Sequence, residues 1–112
     1  MKTIKISTDY TRFPGGRLRV DGNNSAEEFR TTKIEPFFEN EDKIIIDLDD
    51  VEGFSTAFLE ETFGGLVRKF GKQQVLDKIE IKCTDEPLLI EEIKQYIDLA
   101  DKKWNVLPIF FL

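Results

Sequence analysis

The chain has 112 residues, of which 40% are hydrophobic and 34% charged, and it carries a net charge of −6 at neutral pH. That length supports one buried core without disulfide or metal help. The acidity excludes the basic footprint needed to bind nucleic acid or an anionic membrane surface. With no histidine and one cysteine, Cys83, the chain has neither a Cys/His zinc site nor a nucleophile paired with an imidazole base. No cofactor is expected.

Residues 2–7 alternate polar and apolar, with Ile4 and Ile6 on one face, and predict a strand. This start lacks the apolar block of a signal peptide, and the longest apolar stretches are too short to span a bilayer. With one unpaired thiol, a reducing cytoplasm is the expected location. Phe13-Pro14-Gly15-Gly16 predicts a turn; without a GK[ST] ending and a following helix it is not a phosphate loop. Residues 17–20 predict a short extended piece with Leu18 and Val20 on one side, and residues 21–24 a second turn.

Ser25-Ala26-Glu27-Glu28 has the spacing of a capping box. A helix should follow, burying Phe29, Ile34, Phe37 and Phe38 and kinked or divided by Pro36. The run Ile44-Ile45-Ile46 within residues 43–48 predicts a strand covered on both faces. Leu59, Phe63, Leu66, Val67 and Phe70 form an apolar stripe along a helix at residues 57–70, capped by Gly71. Residues 72–76 add a helical turn and residues 78–83 a strand. A last helix at residues 86–104 carries Pro87 in its first turn. Residues 106–112 are expected to close the chain as an edge strand or a subunit contact, through which the chain would form a homo-oligomer. The whole reads as one α/β domain over residues 1–112, built on a mixed, mostly parallel sheet of four to five strands.

Few residues could carry chemistry. Asp47, Asp49, Asp50 and Glu52 crowd the carboxyl end of the central strand, where open α/β sheets bind ligands and where a Mg²⁺ site is geometrically conceivable. The structural alternative is that they solvate a strand end and favour the next helix dipole. Ser55 and Thr56 sit at that helix start, as N-caps or as phosphoacceptors. Gly64-Gly65 inside a helix implies close approach to the backbone, by the sheet or by a partner. Arg12, Arg17, Arg19 and Arg30 could bind an anion, or pair with nearby Asp21, Glu27 and Glu28. Glu60-Glu61 and Glu91-Glu92 read as solvated helix faces.

Three segments together carry a family resemblance: Ile46-Asp47-Leu48-Asp49-Asp50, the block from Phe58 through Phe63-Gly64-Gly65-Leu66-Val67-Arg68, and Ser25-Ala26-Glu27-Glu28-Phe29-Arg30. With Pro36 and the Pro-Gly-Gly-Arg turn, they make the chain resemble the STAS-like family of unknown function. That family is related to the sulfate-transporter and anti-sigma-factor-antagonist (STAS) domain. The resemblance implies helices packed largely on one side of the sheet. In STAS regulators an Asp-Ser-Ser-Gly type loop before the second helix is phosphorylated by a GHKL ATPase-type kinase. Here Ser55 takes the Asp place, Thr56 the phosphoacceptor place and Ala57 the second Ser place, a departure from that pattern.

The expected function is therefore that of a non-enzymatic regulatory adaptor. Its protein partner would be a GHKL-type ATPase/kinase or a sigma-regulatory protein, contacted through Gly53, Phe54, Ser55, Thr56, Glu60, Glu61 and Gly64. The competing expectation is a nucleotide- or Mg-dependent protein using Asp47, Asp49 and Asp50.

Overall fold

The computed structural model describes the backbone of residues 1–110 and the side chains of residues 1–101. Three strands, β1 (Lys2–Lys5), β2 (Ile44–Asp47) and β3 (Ile79–Lys82), form a wholly parallel sheet in the order β1-β2-β3. Parallel neighbours need crossovers, and helices supply them. After α1 (Ile6–Asp9) and a 3₁₀ turn at Arg19–Asp21, helix α2 (residues 26–38) joins β1 to β2. Helices α3 (residues 56–70) and α4 (Lys72–Lys78) join β2 to β3, and α5 (Leu88–Phe110) follows. Among the described residues no helix is long and apolar enough to cross a membrane.

The register explains the sheet's two faces. Ile4, Ile46 and Ile81 stand abreast, as do Thr3, Ile45 and Glu80 on the other side. Ile4, Ile44 and Ile46 are buried in one cluster with Phe29 and Phe38 of α2, Phe58, Phe63 and Leu66 of α3, and Ile93 and Ile97 of α5. Each such large side chain contributes roughly 1.5–3 kcal/mol by leaving water. Phe38 stacks on Phe70 with ring centroids 3.9 Å apart, and Tyr10 and Phe58 flank Phe29. On the opposite face Thr3 and Glu80 are exposed and Ile45 is half-buried. The unbroken Ile run therefore does not mark a strand covered on both sides.

The described residues hold three strands, not four to five. β1 ends at Lys5 because the Asp9 carboxylate accepts the Lys5 N–H (2.8 Å) and draws Ile6–Asp9 into a helical turn. Residues 17–20 form no strand. The Asp21 carboxylate accepts the Leu18 N–H (3.0 Å) and the Asp21 N–H donates to the Leu18 carbonyl, closing a 3₁₀ turn that leaves Val20 86% exposed. Residues 106–110 continue α5 rather than turning back as an edge strand, since propagating an established helix adds a backbone bond at each step. Residues 111–112, and the side chains of residues 102–110 on which a subunit contact would depend, lie outside the described residues.

Two π-turns interrupt the long helices, at Arg30–Ile34 in α2 and Glu60–Gly64 in α3. The first has a clear cause. Pro36 has no N–H, and the Glu35 N–H just before it donates five residues back, to Arg30. The extra residue lets the helix pass the proline without breaking. Gly71, at φ +90°, ends α3 with its N–H on the Val67 carbonyl, as a C-terminal glycine should.

Candidate functional site

The acids at the end of β2 are tied into the fold. Asp47 accepts the Asp49 N–H (2.9 Å). Asp49, buried, accepts the Thr84 N–H (2.7 Å), the Thr84 hydroxyl (2.6 Å) and the Asp85 N–H (2.9 Å), so its carboxylate holds the loop after β3 against the loop after β2. The Thr84 hydroxyl, then the Asp85 N–H, keep this carboxyl below its ordinary pKa. Asp50 stands at φ +67° and pairs with Lys5 (2.7 Å) while its N–H donates to Asp85. Glu52 pairs with Arg12. Asp47 and Asp49 thus do not merely solvate a strand end, and no group of three or more metal-ligating side chains is assembled among the described residues.

Glu60, Glu61 and Gly64 lie inside rather than on a helix exterior. Arg30 reaches from α2 to Glu35 and to Glu61 (2.9 Å); Arg17 and Arg68 both reach Glu60, Arg68 at 2.8 Å; Lys69 reaches Glu35 at 2.6 Å. Glu35, Glu60 and Glu61 are all nearly buried. Burial alone would raise the Glu60 carboxyl, but hydrogen bonds from Arg68 and Arg17 outweigh it and hold it below its ordinary value.

The glycine pair makes room for this network. A Cβ on Gly64 would collide with the Glu60 carboxylate, and one on Gly65 with the Arg30 guanidinium. The close approach does not come from the sheet. It comes from charged side chains laid across the helix backbone at the second π-turn. Of the early arginines, Arg17 pairs with α3, and Arg30 divides between Glu35 of its own helix and Glu61 of α3. Arg19 alone keeps to the expected neighbours, near Glu28 and with its N–H on Glu27.

Two helix starts meet at the Pro-Gly-Gly-Arg loop. Ser25 caps α2: its hydroxyl accepts the Glu28 N–H (3.2 Å), while Ala26 and Glu27 donate to the carbonyls of Gly16 and Arg17. Half of the expected capping box is present; the Glu28 carboxylate turns to Arg19 instead. Ser55 caps α3, accepting the Phe58 N–H (3.0 Å) and donating to the Gly15 carbonyl (3.3 Å). Thr56 is the first helical residue, not the cap, and its hydroxyl interacts with Tyr96. No described residue accepts from the Thr56 and Ala57 N–H groups. Gly53, Ser55 and Thr56 are exposed, and Phe54 is half-buried.

Of the expected contact residues, the structure therefore brings Gly53, Phe54, Ser55 and Thr56 together at the surface and turns the other three inward. Beside them lies a feature the sequence reading missed, a cavity of about 200 Å³ between the loop after β2 and the start of α5. Its wall includes Cys83, whose thiol donates to the Glu86 carbonyl (3.2 Å) and is pushed up by burial, which makes it a poor nucleophile. The sequence signal was present in Phe54 and Leu89, apolar residues close to acids in a loop and at the start of α5.

Comparison with curated proteins and comparison with solved structures each return no match. A family model described as a STAS-like domain of unknown function (DUF4325) matches residues 25–89. That span runs from the Ser25 cap, through the Asp49 tether, both π-turns and the glycine pair, to the cavity wall at Leu89. The chain belongs to the STAS-like family of unknown function.

Proposed function

We propose that the chain is a non-enzymatic regulatory adaptor, working in the cytoplasm, that binds a protein partner through residues 53–57. One observation carries this reading: the start of α3 is exposed and has two unsealed N–H groups, whereas the start of α2 is closed by the same loop. Exposed, unpartnered backbone beside an aromatic side chain on a well-held scaffold is what a binding loop requires. The relation of the family to STAS regulators supports a GHKL-type ATPase/kinase or another sigma-regulatory protein as the partner. The Mg-dependent alternative has less support, because the carboxylates of Asp47 and Asp49 are already engaged by backbone and hydroxyl donors.

The test is a photocrosslinking amino acid placed in the host cell at Thr56 and, as a control, at exposed Gln74 on α4. A discrete adduct from position 56 and none from 74 is expected. The same products from both positions, or none from either, would reject the reading.

A further inference from the structure

The cavity beside residues 53–57 has a composition that specifies its occupant. Leu48 and Cys83 are buried at its floor, and Val51, Phe54 and Leu89 are half-buried at its mouth. Leu88, next in the chain to Leu89, is 82% exposed. The rim is acidic. Glu86 is exposed and has no ion pair among the described residues, and the Asp85 carboxylate accepts only the Asp50 N–H and meets no cation there. The neighbouring acids Asp50 and Glu52 already have Lys5 and Arg12. Two carboxylates without an ion pair among the described residues thus stand over a hole lined by both apolar side chains and polar atoms, on a chain of net charge −6.

Size narrows the choice. A volume of about 200 Å³ is below the roughly 300–1,000 Å³ of ordinary small-molecule sites, yet it suits one large side chain. An apolar anchor in a pocket with a polar rim is the usual core of a protein interface. The acidic rim repels an acidic segment and attracts a basic one.

We propose that this cavity receives a single large apolar side chain of a protein partner, and that Glu86 and Asp85 hold a lysine or arginine adjacent to it in the partner's chain. This rests on the reading above that the chain works by docking to a protein, and it names the chemistry of the docked segment.

The probes are three blocked dipeptides, acetyl-Phe-Lys-amide, acetyl-Phe-Glu-amide and acetyl-Gly-Lys-amide, titrated into the isotope-labelled protein while its amide resonances are followed. The Phe-Lys probe should shift Gly53, Phe54, Cys83 and Leu89, several-fold more tightly than Phe-Glu, and Gly-Lys should shift none of them. Glu86→Gln should weaken the preference and Glu86→Lys reverse it. The remaining resonances should stay in place, which separates a lost site from a lost fold. Equal binding of Phe-Lys and Phe-Glu, shifts elsewhere, no shifts, or indifference to Glu86→Lys would overturn the proposal.

The Thr56 crosslink separates the two readings. An adduct that survives Glu86→Lys leaves partner docking intact and removes the cavity from it. Loss of the adduct together with Phe-Lys binding supports both. Concentration-dependent dimers abolished by Glu86→Lys would put a second copy of this chain in the cavity and overturn a foreign partner. Saturation by free phenethylammonium at micromolar concentration would do the same in favour of a small amine.

Discussion

Ser25 and Ser55 begin two helices with the same local device, a hydroxyl accepting the N–H three residues on. They differ in what the Pro-Gly-Gly-Arg loop does next. At Ser25 it supplies two carbonyls to the free N–H groups, Tyr10 donates to the Ser25 carbonyl (2.9 Å), and Ser25 is buried. At Ser55 it supplies one carbonyl, to the hydroxyl, and leaves the Thr56 and Ala57 N–H groups without an acceptor among the described residues. A cap motif alone therefore does not say whether a helix start is structural or available. The second layer of hydrogen bonds decides, and that layer comes from residues distant in the chain.

The sharpest way to break the closed side is to remove Arg30, which ties α2 to α3. Arg30→Ala should lower stability by about 3 kcal/mol, the low end for breaking a buried pair, because nearly buried Glu61 and Glu35 lose their shared partner while Lys69 still reaches Glu35 and Arg68 still reaches Glu61. Denaturant titration measures it, and a loss below 1 kcal/mol would show the network to be incidental. Next come the two caps. Ser25→Ala should cost about 2 kcal/mol, the upper end for caps, and Ser55→Ala about 1 kcal/mol. Equal losses would mean that the difference between sealed and open helix starts has no energetic content.

The closed side should also titrate. Burial, with help from Glu28, pushes the Tyr10 hydroxyl from its ordinary 10.0 up to about 12. Its contribution is fully present below pH 10 and is lost as pH rises from there to about 12. Tyr10→Phe should flatten the alkaline limb of the stability profile, with Tyr96, also raised, keeping the remainder. At the acid end the sign reverses. Glu60 lies below its ordinary 4.5, so its contribution stands above that value and disappears as pH falls through the lower, folded one. Glu60→Gln should shallow the acid limb. A profile indifferent to both substitutions would contradict the pairing described here.

Apolar patterning placed the three strands and the long helices, because each needs an apolar face against one core: the Ile4 and Ile6 alternation, the unbroken Ile44-Ile45-Ile46 run, the Leu59-to-Phe70 stripe, Gly71 as terminator. It misjudged segments whose outcome rests on one local hydrogen bond. Asp9 and Asp21 each convert an extended stretch into a turn by accepting a nearby N–H. For the site, the caps and acids pointed to residues 53–65, of which Gly53, Ser55 and Thr56 are exposed and Phe54 is half-buried. The inward turn of Glu60 and Glu61 was not, since it depends on Arg17, Arg30 and Arg68 arriving from three places in the chain. Gly64-Gly65 was the visible trace of that convergence, and packing alone could not say what approached the glycines.

The smallest expected stability effect concerns Thr56. It is exposed, its helix is already capped by Ser55, and among the described residues its hydroxyl meets Tyr96. Thr56→Ala should therefore move stability by no more than about 0.5 kcal/mol, the range of surface substitutions. Against Ser55→Ala it isolates what position 56 does beyond folding. A phosphate there would gain two free N–H groups and the helix dipole. It would also displace the contact with Tyr96, whose hydroxyl already donates to Glu92 (2.6 Å) and which feels the charge of Glu60 as well. Arg17 and Arg68 are committed to Glu60 and Glu61, and Arg12 to Glu52. Repulsion without a free arginine to offset it disfavours a phosphorylated loop. Intact-mass measurement of protein from its host, across growth conditions, should return the unmodified mass. A stoichiometric phosphate mapped to Thr56 would mean that the partner reorganises those arginines, and it would turn the docking loop into a switch.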